Sequence, residues 1–319
     1  MRILALVPGG ISEQILFFPT LEDLKKRYPQ ATIDAIVEPS SKSAYRVCPH
    51  VSEVLTFDFK DRSGLADYLN LLGIIRDREY DIAMTLGQRG SVGFLLWLSG
   101  IPVRIGYADG STRFLTQTVP LNANQYAAEM YHDLLKGLGI TLPCPDLAVS
   151  VPTQDLEWAD AECKRLGIQN GGYVVIHGGA SDLSQQKGID KMYPVAHWQT
   201  IVRDFQQKQP DLPIVLIKGP EDAEMVAALM QVSPQIKVTS PDNVGKLVAM
   251  IAGASLMLCT DSAPMHLAIA AQTYTLALFG PTDPDKLLPQ SDRVLGIKSP
   301  TGKMADIAPQ TVLDRVWGG

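Results

Sequence analysis

The chain has 319 residues, a formal net charge of −6, 46% hydrophobic residues and 19% charged residues. That length favours two domains, each large enough to bury its own core, and the composition is globular rather than disordered. Residues 1–150 carry 14 basic against 16 acidic side chains and residues 151–319 carry 14 against 18, so neither half is a default partner for nucleic acid or an anionic membrane.

Cys48, Cys144, Cys163 and Cys259 are scattered without a CxxC pair, the usage expected of reduced thiols in a cytosolic protein. The opening run Met1–Val7 is too short for a signal peptide and ends in the turn Pro8-Gly9-Gly10. No run approaches the roughly 18 to 20 apolar residues that span a bilayer. A soluble cytoplasmic protein is expected, with peripheral contact at the inner membrane face left open.

In chain order, Ile3–Val7 reads as a buried strand, and Ser12 as the cap of a helix running to about Tyr28. Ile33–Val37 follows as the next strand, then a short helix near Ser41–Val47 and a strand at Val54–Phe57. Leu65–Asp77 has apolar residues at helical spacing, Asp81–Leu86 is strand-like, Val92–Leu98 reads as a buried helix, and Val103–Gly106 as a short strand. Ala127–Leu138 is expected to be one helix stopped by Gly139. Thr141–Gln154 holds three prolines and no period, which marks a linker. The pattern then restarts with helix Asp155–Leu166, strand Tyr173–His177, helix Val195–Gln207, strand Ile214–Lys218, helix Glu221–Met230, strand Ile236–Thr239 and helix Val244–Ala252. Two βα series imply an α/β chain of two Rossmann-like domains facing a central cleft, residues 1–150 and 151–319. A last amphipathic segment, Thr311–Trp317, is left free to pack on either domain, including back on the first.

The most informative stretch is Cys259–Pro284. A buried strand ends at Cys259, the capping types Thr260, Asp261 and Ser262 follow, Pro264 suits a first helical turn, and Thr275–Phe279 is the next strand. A strand feeding a helix N-terminus is where α/β folds hold phosphates, because free N–H groups and the helix dipole point there. His266, one turn in, is placed to face such a ligand. Gly179 and Ser181 follow the first strand of the second domain, where backbone N–H groups and a hydroxyl can approach phosphate. Lys187 and Lys191 precede Tyr193-Pro194, and either is a compact positive charge or a surface lysine. Glu224 follows another strand and is a ribose-binding or a helix-start acid. Glu13, beyond the Pro8-Gly9-Gly10 turn, either complements the helix dipole or faces the cleft. Asp283-Pro-Asp285 matches a DxD metal pattern, but Pro284 favours capping; no spacing supports a metal site or a nucleophile elbow.

Together these segments resemble glycosyltransferase family 9, the heptosyltransferase family. Its signature [ST]-x-D-[ST]-G-P-x-H-x-A-A is similar to Cys259 through Ala268, its FGPTDP is matched by Phe279–Pro284, and its K-x-W-P is similar to Lys191-Met192-Tyr193-Pro194. Its G-D-x-(L/I)-x-x-x-P is similar to Ser12-Glu13 through Pro19, and its R-I-G to Arg104-Ile105-Gly106. The resemblance implies a GT-B architecture with an acceptor-binding domain first, a nucleotide-sugar donor-binding domain second, no metal and no cofactor. It implies Glu13 as general base on an acceptor hydroxyl. Lys191, the Asp261–His266 turn with Ser262 and Ala263, Gly179, and Gly280 with Thr282 would meet the donor diphosphate, with Ser181 beside it and Glu224 on the ribose. An ADP-sugar is the favoured donor and a saccharide or glycolipid of lipopolysaccharide-core type the acceptor, met by Gly10, Lys60, Arg62, Arg89 and Arg113. Among the departures from the pattern are Ser12 for glycine, Glu13 for aspartate and Ala263 for glycine. Two rivals are a nucleotide-sugar epimerase on the same architecture and a nucleotide-sugar-binding homologue that has lost catalysis.

Overall fold

The structure is a computed structural model that describes residues 1–59, 63–108, 112–168, 172–179, 189, 191–219 and 222–318, apart from the side chain of Val232. The chain divides into two compact units, Met1–Ser150 and Val151–Gly319.

In the first unit the strands are β1 (Arg2–Val7), β2 (Thr32–Val37), β3 (Glu53–Thr56), β4 (Ile82–Thr85), β5 (Val103–Tyr107) and β6 (Gln117–Val119). Its helices are α1 (Ile11–Arg27), α2 (Leu65–Asp77), α3 (Gly90–Ser99) and α4 (Ala127–His132). In the second unit the helices are α5 (Thr153–Arg165), α6 (Val195–Lys208), α7 (Ala223–Val232), α8 (Val244–Ala252), α9 (Ala263–Ala270), α10 (Pro284–Leu287) and α11 (Pro309–Trp317). Its strands are β7 (Val174–His177), β8 (Ile214–Ile217), β9 (Lys237–Thr239), β10 (Leu256–Thr260), β11 (Thr275–Phe279) and β12 (Val294–Lys298).

Each unit is built on a six-stranded sheet, ordered β3-β2-β1-β4-β5-β6 and β12-β11-β10-β7-β8-β9. All pairings are parallel, as between β1 and β2 and between β10 and β7. Numbered from its own first strand, each sheet has the order 3-2-1-4-5-6 of a dinucleotide-binding fold. Strands such as β1, β4, β7 and β8 read as continuous apolar runs because helices cover both faces of a parallel sheet, and their side chains are buried accordingly.

The order reverses between β1 and β4 in one sheet and between β10 and β7 in the other. At such a switch point the connections leave in opposite directions and open a crevice at the carboxyl ends of the strands. The turns Pro8–Gly10 after β1 and Asp261–Ser262 after β10 fall at these points.

The core of the second unit forms around α6, whose Trp198, Ile201, Val202 and Phe205 lie at helical spacing and are at most 2% exposed. Val312 and Leu313 of α11 join that core, and Trp317 rests at 4.8 Å on Phe205 and donates to Asp204. The last helix therefore packs on α6 of the second unit.

Other differences have local causes. The N-cap of α1 is Gly10, not Ser12, so the helix begins at Ile11 with Glu13 in its first turn. Ala127–Leu138 breaks after His132 into a 3-10 turn, Asp133–Leu138, which Gly139 stops at φ 73°. Helix α3 is not buried all round: Val92, Leu95 and Leu96 face the core, while Phe94 and Trp97 are 44% and 51% exposed and stack on each other. Arg104 and Gly106 have structural roles. The Arg104 side chain donates to the carbonyls of Phe114 and Ile101, and a Cβ on Gly106 would lie 2.9 Å from the Leu115 side chain.

Candidate functional site

At the switch point of the second sheet, β7 ends in His177 and β10 runs through Cys259, the strand partner of His177, to Thr260. Asp261 and Ser262 make the turn, and α9 starts at Ala263 with Pro264 in its first turn. The Asp261 carboxylate, 5% exposed, accepts from Lys191 Nζ at 2.6 Å and from Thr282 Oγ1 at 2.7 Å. One buried acid thus joins the turn, the chain entering α6 and the loop after β11. That loop is held from below by Lys298, whose Nζ donates to the carbonyls of Gly280 at 2.5 Å and Thr282 at 2.7 Å. Thr260 Oγ1 donates to the Gly179 carbonyl at 2.9 Å, which ties the ends of β10 and β7 together.

Lys191, Asp261, Ser262, Ala263, His266, Gly179, Gly280 and Thr282 are therefore brought together around one turn. Glu224 stands apart, exposed in the first turn of α7. Ser181, Lys187 and the expected helix start at Glu221 lie outside the described residues.

His266 does not look outward. It is 0% exposed, and both ring nitrogens are without a hydrogen-bond partner among the described residues. Burial pushes its pKa down from 6.5 to about 4, Asp261 opposing and Lys191 reinforcing the shift, so the ring is neutral under the turn near neutral pH. His177 is also held below its ordinary value by burial, against the pull of Asp222. Its Nε2 lies 3.5 Å from Asp222 Oδ2 and its Nδ1 3.4 Å from Ser262 Oγ. Asp222 Oδ2 also accepts the Gly219 N–H at 2.7 Å.

At the switch point of the first sheet, the Pro8-Gly9-Gly10 turn is fixed by buried polar groups. Gln14 Nε2 donates to the carbonyls of Val7 and Gly9 at 3.0 and 3.3 Å, and its Oε1 accepts from Tyr45 at 2.9 Å. Ser41 donates to the Gly9 carbonyl at 2.7 Å. The half-buried Glu13 side chain folds back over this turn, since a Cβ on Gly9 would lie 2.9 Å from Glu13 Cβ and one on Gly10 3.2 Å from Glu13 Oε2. No hydrogen bond or ion pair engages the Glu13 carboxylate among the described residues. Tyr131 is its electrostatic neighbour: burial first, and the Glu13 charge second, hold the Tyr131 hydroxyl above its ordinary range.

Gly10 and Glu13 thus share one turn. Arg89 lies at the start of α3 and donates to the Phe59 carbonyl at 3.0 Å, while Arg113 is exposed with its guanidinium 4.7 Å from the Phe114 ring. Lys60 and Arg62 lie outside the described residues. Asp283 accepts from the Asp285 N–H at 3.1 Å as the cap of α10, which assigns the DxD match a capping role. Among the described residues no three His, Cys, Asp or Glu side chains converge as a metal site.

Sequence reasoning passed over Asp222, Lys298 and Tyr131. Asp222 lies in the segment Gly219–Glu224, whose three acids carry no mark of which one turns inward. Lys298 closes the unpredicted strand β12, and Tyr131 meets Glu13 only through the packing of α4 on α1.

A family model described as glycosyltransferase family 9 (heptosyltransferase) matches residues 69–316. The chain is 26% identical to the photosynthetic NDH subunit of subcomplex B 1, chloroplastic, of Arabidopsis thaliana, over 98% of its own length and 72% of that protein. It is 25% identical to lipopolysaccharide heptosyltransferase 3 of Escherichia coli, over 85% of its length and 81% of that enzyme. The glycosyl transferase family 9 structure from Veillonella parvula superposes with a TM-score of 0.82 at 20% identity, covering 98% of this chain and 95% of that one. An Escherichia coli heptosyltransferase solved with ADP-2-deoxy-2-fluoro heptose superposes at 0.79 and 18% identity, covering 99% of both chains. These likenesses show a GT-B fold.

Proposed function

The chain belongs to glycosyltransferase family 9 (heptosyltransferase), a family of glycosyltransferases, and from that premise we propose that it moves a sugar from a nucleotide-diphosphate donor to a saccharide or glycolipid acceptor with inversion at the anomeric carbon. Heptose from ADP-heptose is the favoured donor and a lipopolysaccharide-core-like glycolipid the favoured acceptor. The observation that carries the reading is the turn at the second switch point, where Asp261 joins Lys191 and Thr282 at the start of α9, the kind of position at which α/β folds hold phosphates.

In the proposed step Glu13 takes the proton of an acceptor hydroxyl as that oxygen bonds to the anomeric carbon. The bond from that carbon to the diphosphate oxygen breaks, and the leaving nucleoside diphosphate keeps the electron pair. The dipole of α9, the Lys191 ammonium and backbone N–H groups at Gly179 and Gly280 offset the charge that grows on it. These groups do so without a metal ion, and Asp283 stays committed to its helix cap. Glu224, exposed at the start of α7, is the proposed ribose contact. Ser181 is retained as a proposed phosphate contact on its sequence position alone. Gly10, Lys60, Arg62, Arg89 and Arg113 are proposed on the acceptor side. No described helix is long and apolar enough to cross a membrane; a cytoplasmic enzyme touching the inner membrane face to reach a glycolipid fits the reading.

The test is transfer from ADP-heptose and a panel of UDP- and GDP-sugars. Glu13→Gln is expected to abolish turnover while leaving donor affinity within about twofold, and equal turnover in both proteins removes Glu13 as the base. A second reading, a donor-binding homologue without transfer, is favoured by the Arabidopsis relative, whose name is that of an NDH subunit and which matches 98% of this chain. The departures at Ser12, Glu13 and Ala263 point the same way. It predicts that nucleotide sugars stabilise the protein but no acceptor is glycosylated.

A further inference from the structure

Ser262 is the N-cap of α9, with φ −156° and ψ 172°. Asn243, the N-cap of α8, has nearly the same backbone, φ −151° and ψ 165°, and its side chain accepts from the Lys246 N–H at 3.0 Å. That is what a serine or asparagine in this position does by default. Ser262 does not: its hydroxyl makes no bond to its own helix. It turns instead to Nδ1 of His177 at 3.4 Å and to the Thr260 carbonyl at 3.2 Å.

His177 is placed to hold it there. It is the last residue of β7, one strand over from the turn, and 9% exposed. The Asp222 carboxylate sits 3.5 Å from Nε2 and is itself fixed by the Gly219 N–H. A carboxylate beside Nε2 favours the tautomer with the proton on that nitrogen, which leaves Nδ1 as an acceptor for the Ser262 hydroxyl. The clearance here is small: a Cβ on Gly179 would fall 1.7 Å from Asp222 Oδ1 and one on Gly178 2.6 Å from Trp198 Nε1. Asp222 Oδ1 has no hydrogen-bond partner among the described residues, so the acid has been buried at this point without satisfying its second oxygen.

We propose that His177, oriented by Asp222, is a positioning residue of the donor site that draws the Ser262 hydroxyl off its own helix and so keeps the first N–H groups of α9 open for a nucleoside diphosphate. An N-cap side chain and an anionic ligand compete for the same donors. A serine that capped α9 would have to be displaced each time a diphosphate bound. The helix gives up a cap when the site is empty, and the ligand supplies it on binding. The inference rests on the donor-site reading and adds a residue to it.

The test is a cycle of His177→Ala, Ser262→Ala and the double variant, with ADP, UDP and GDP affinities measured by titration calorimetry at pH 7.5. His177→Ala alone is expected to weaken the diphosphate that wild type binds best by about fivefold, the equivalent of one helix cap. In that background Ser262→Ala is expected to tighten binding again, because no hydroxyl remains to compete. In the wild-type background the same Ser262→Ala is expected to lower affinity. That reversal of sign is one that a merely structural role for His177 does not produce. His177→Asn, which keeps an acceptor near Nδ1, is expected to bind like wild type, whereas His177→Gln, which does not, should follow His177→Ala; this pair serves if the alanine variant does not fold. Wild type that binds no nucleoside diphosphate removes the donor-site reading and the inference with it. Wild type that binds, with His177→Ala equally tight or with no recovery in the double variant, removes the inference alone.

Discussion

Gly9 shows how one side chain decides the geometry around another. Its backbone needs no left-handed conformation, and what a Cβ would meet there is Glu13 Cβ at 2.9 Å and Glu13 Cγ at 3.0 Å. Gly9→Ala is therefore expected to move the Glu13 carboxylate rather than to break the fold. If Glu13 is the base, kcat should fall by about tenfold to a hundredfold with nucleotide affinity unchanged, as read from steady-state kinetics and calorimetry. His266 makes a different prediction. Its folded pKa of about 4 lies below the ordinary 6.5, so between those values the unfolded chain binds the extra proton. The stability this site contributes is complete above pH 6.5 and is lost as pH falls toward 4, on the order of 3 kcal/mol in all. Urea unfolding between pH 4 and 7 should show that slope, and His266→Asn should flatten it.

At the scale of elements, the turn from β10 to α9 depends on the segment that leads into α6. Lys191 lies in that segment, 16% exposed, and its ammonium is the partner of the Asp261 carboxylate. Lys191→Ala leaves that acid with Thr282 alone and adds an unpaired negative charge where phosphate is proposed to sit. Breaking a largely buried pair costs about 3 kcal/mol, so the variant is expected to melt several degrees lower and to bind nucleoside diphosphates at least about tenfold more weakly. Unchanged affinity in a folded variant would return Lys191 to a purely structural role. Most elements here were legible in the sequence because parallel strands are unbroken apolar runs and helices keep their period: α2 and α8 fall on Leu65–Asp77 and Val244–Ala252 as read. The misses share a cause. β6 has three residues and β12 is interrupted by Gly296, so neither stands out from loop. The apolar content of α3 reads as core, although Phe94 and Trp97 are satisfied by each other and by Phe114 at the surface. The chemistry-bearing residues of the turn were visible as a motif. The pairings of His177 with Asp222 and of Gly280 with Lys298 were not, because each joins different β–α segments and only the parallel sheet brings them side by side.

At the scale of the molecule, the same strand order serves twice, and in both copies the chemistry collects where the order reverses. The first copy presents an acid folded over a glycine turn, the second a lysine-buttressed helix start. This division of labour is what the proposed two-substrate transfer asks of an enzyme, with proton removal proposed in one unit and the departing anion in the other.

The two sheets are also contiguous in the chain: no described strand of either is borrowed from the other half. During synthesis, at about 5 to 20 residues per second, the first unit can reach its full set of strands while the second is still unmade. The second has no such head start, because its hydrophobic core is closed by Val312 and Leu313 of α11, which follow every other buried residue of that core in the chain. Until then Trp198 and its neighbours lack their cover. A chain stalled shortly before residue 309 would thus carry one finished half and one open half, and it is the open half that chaperones and proteases would meet.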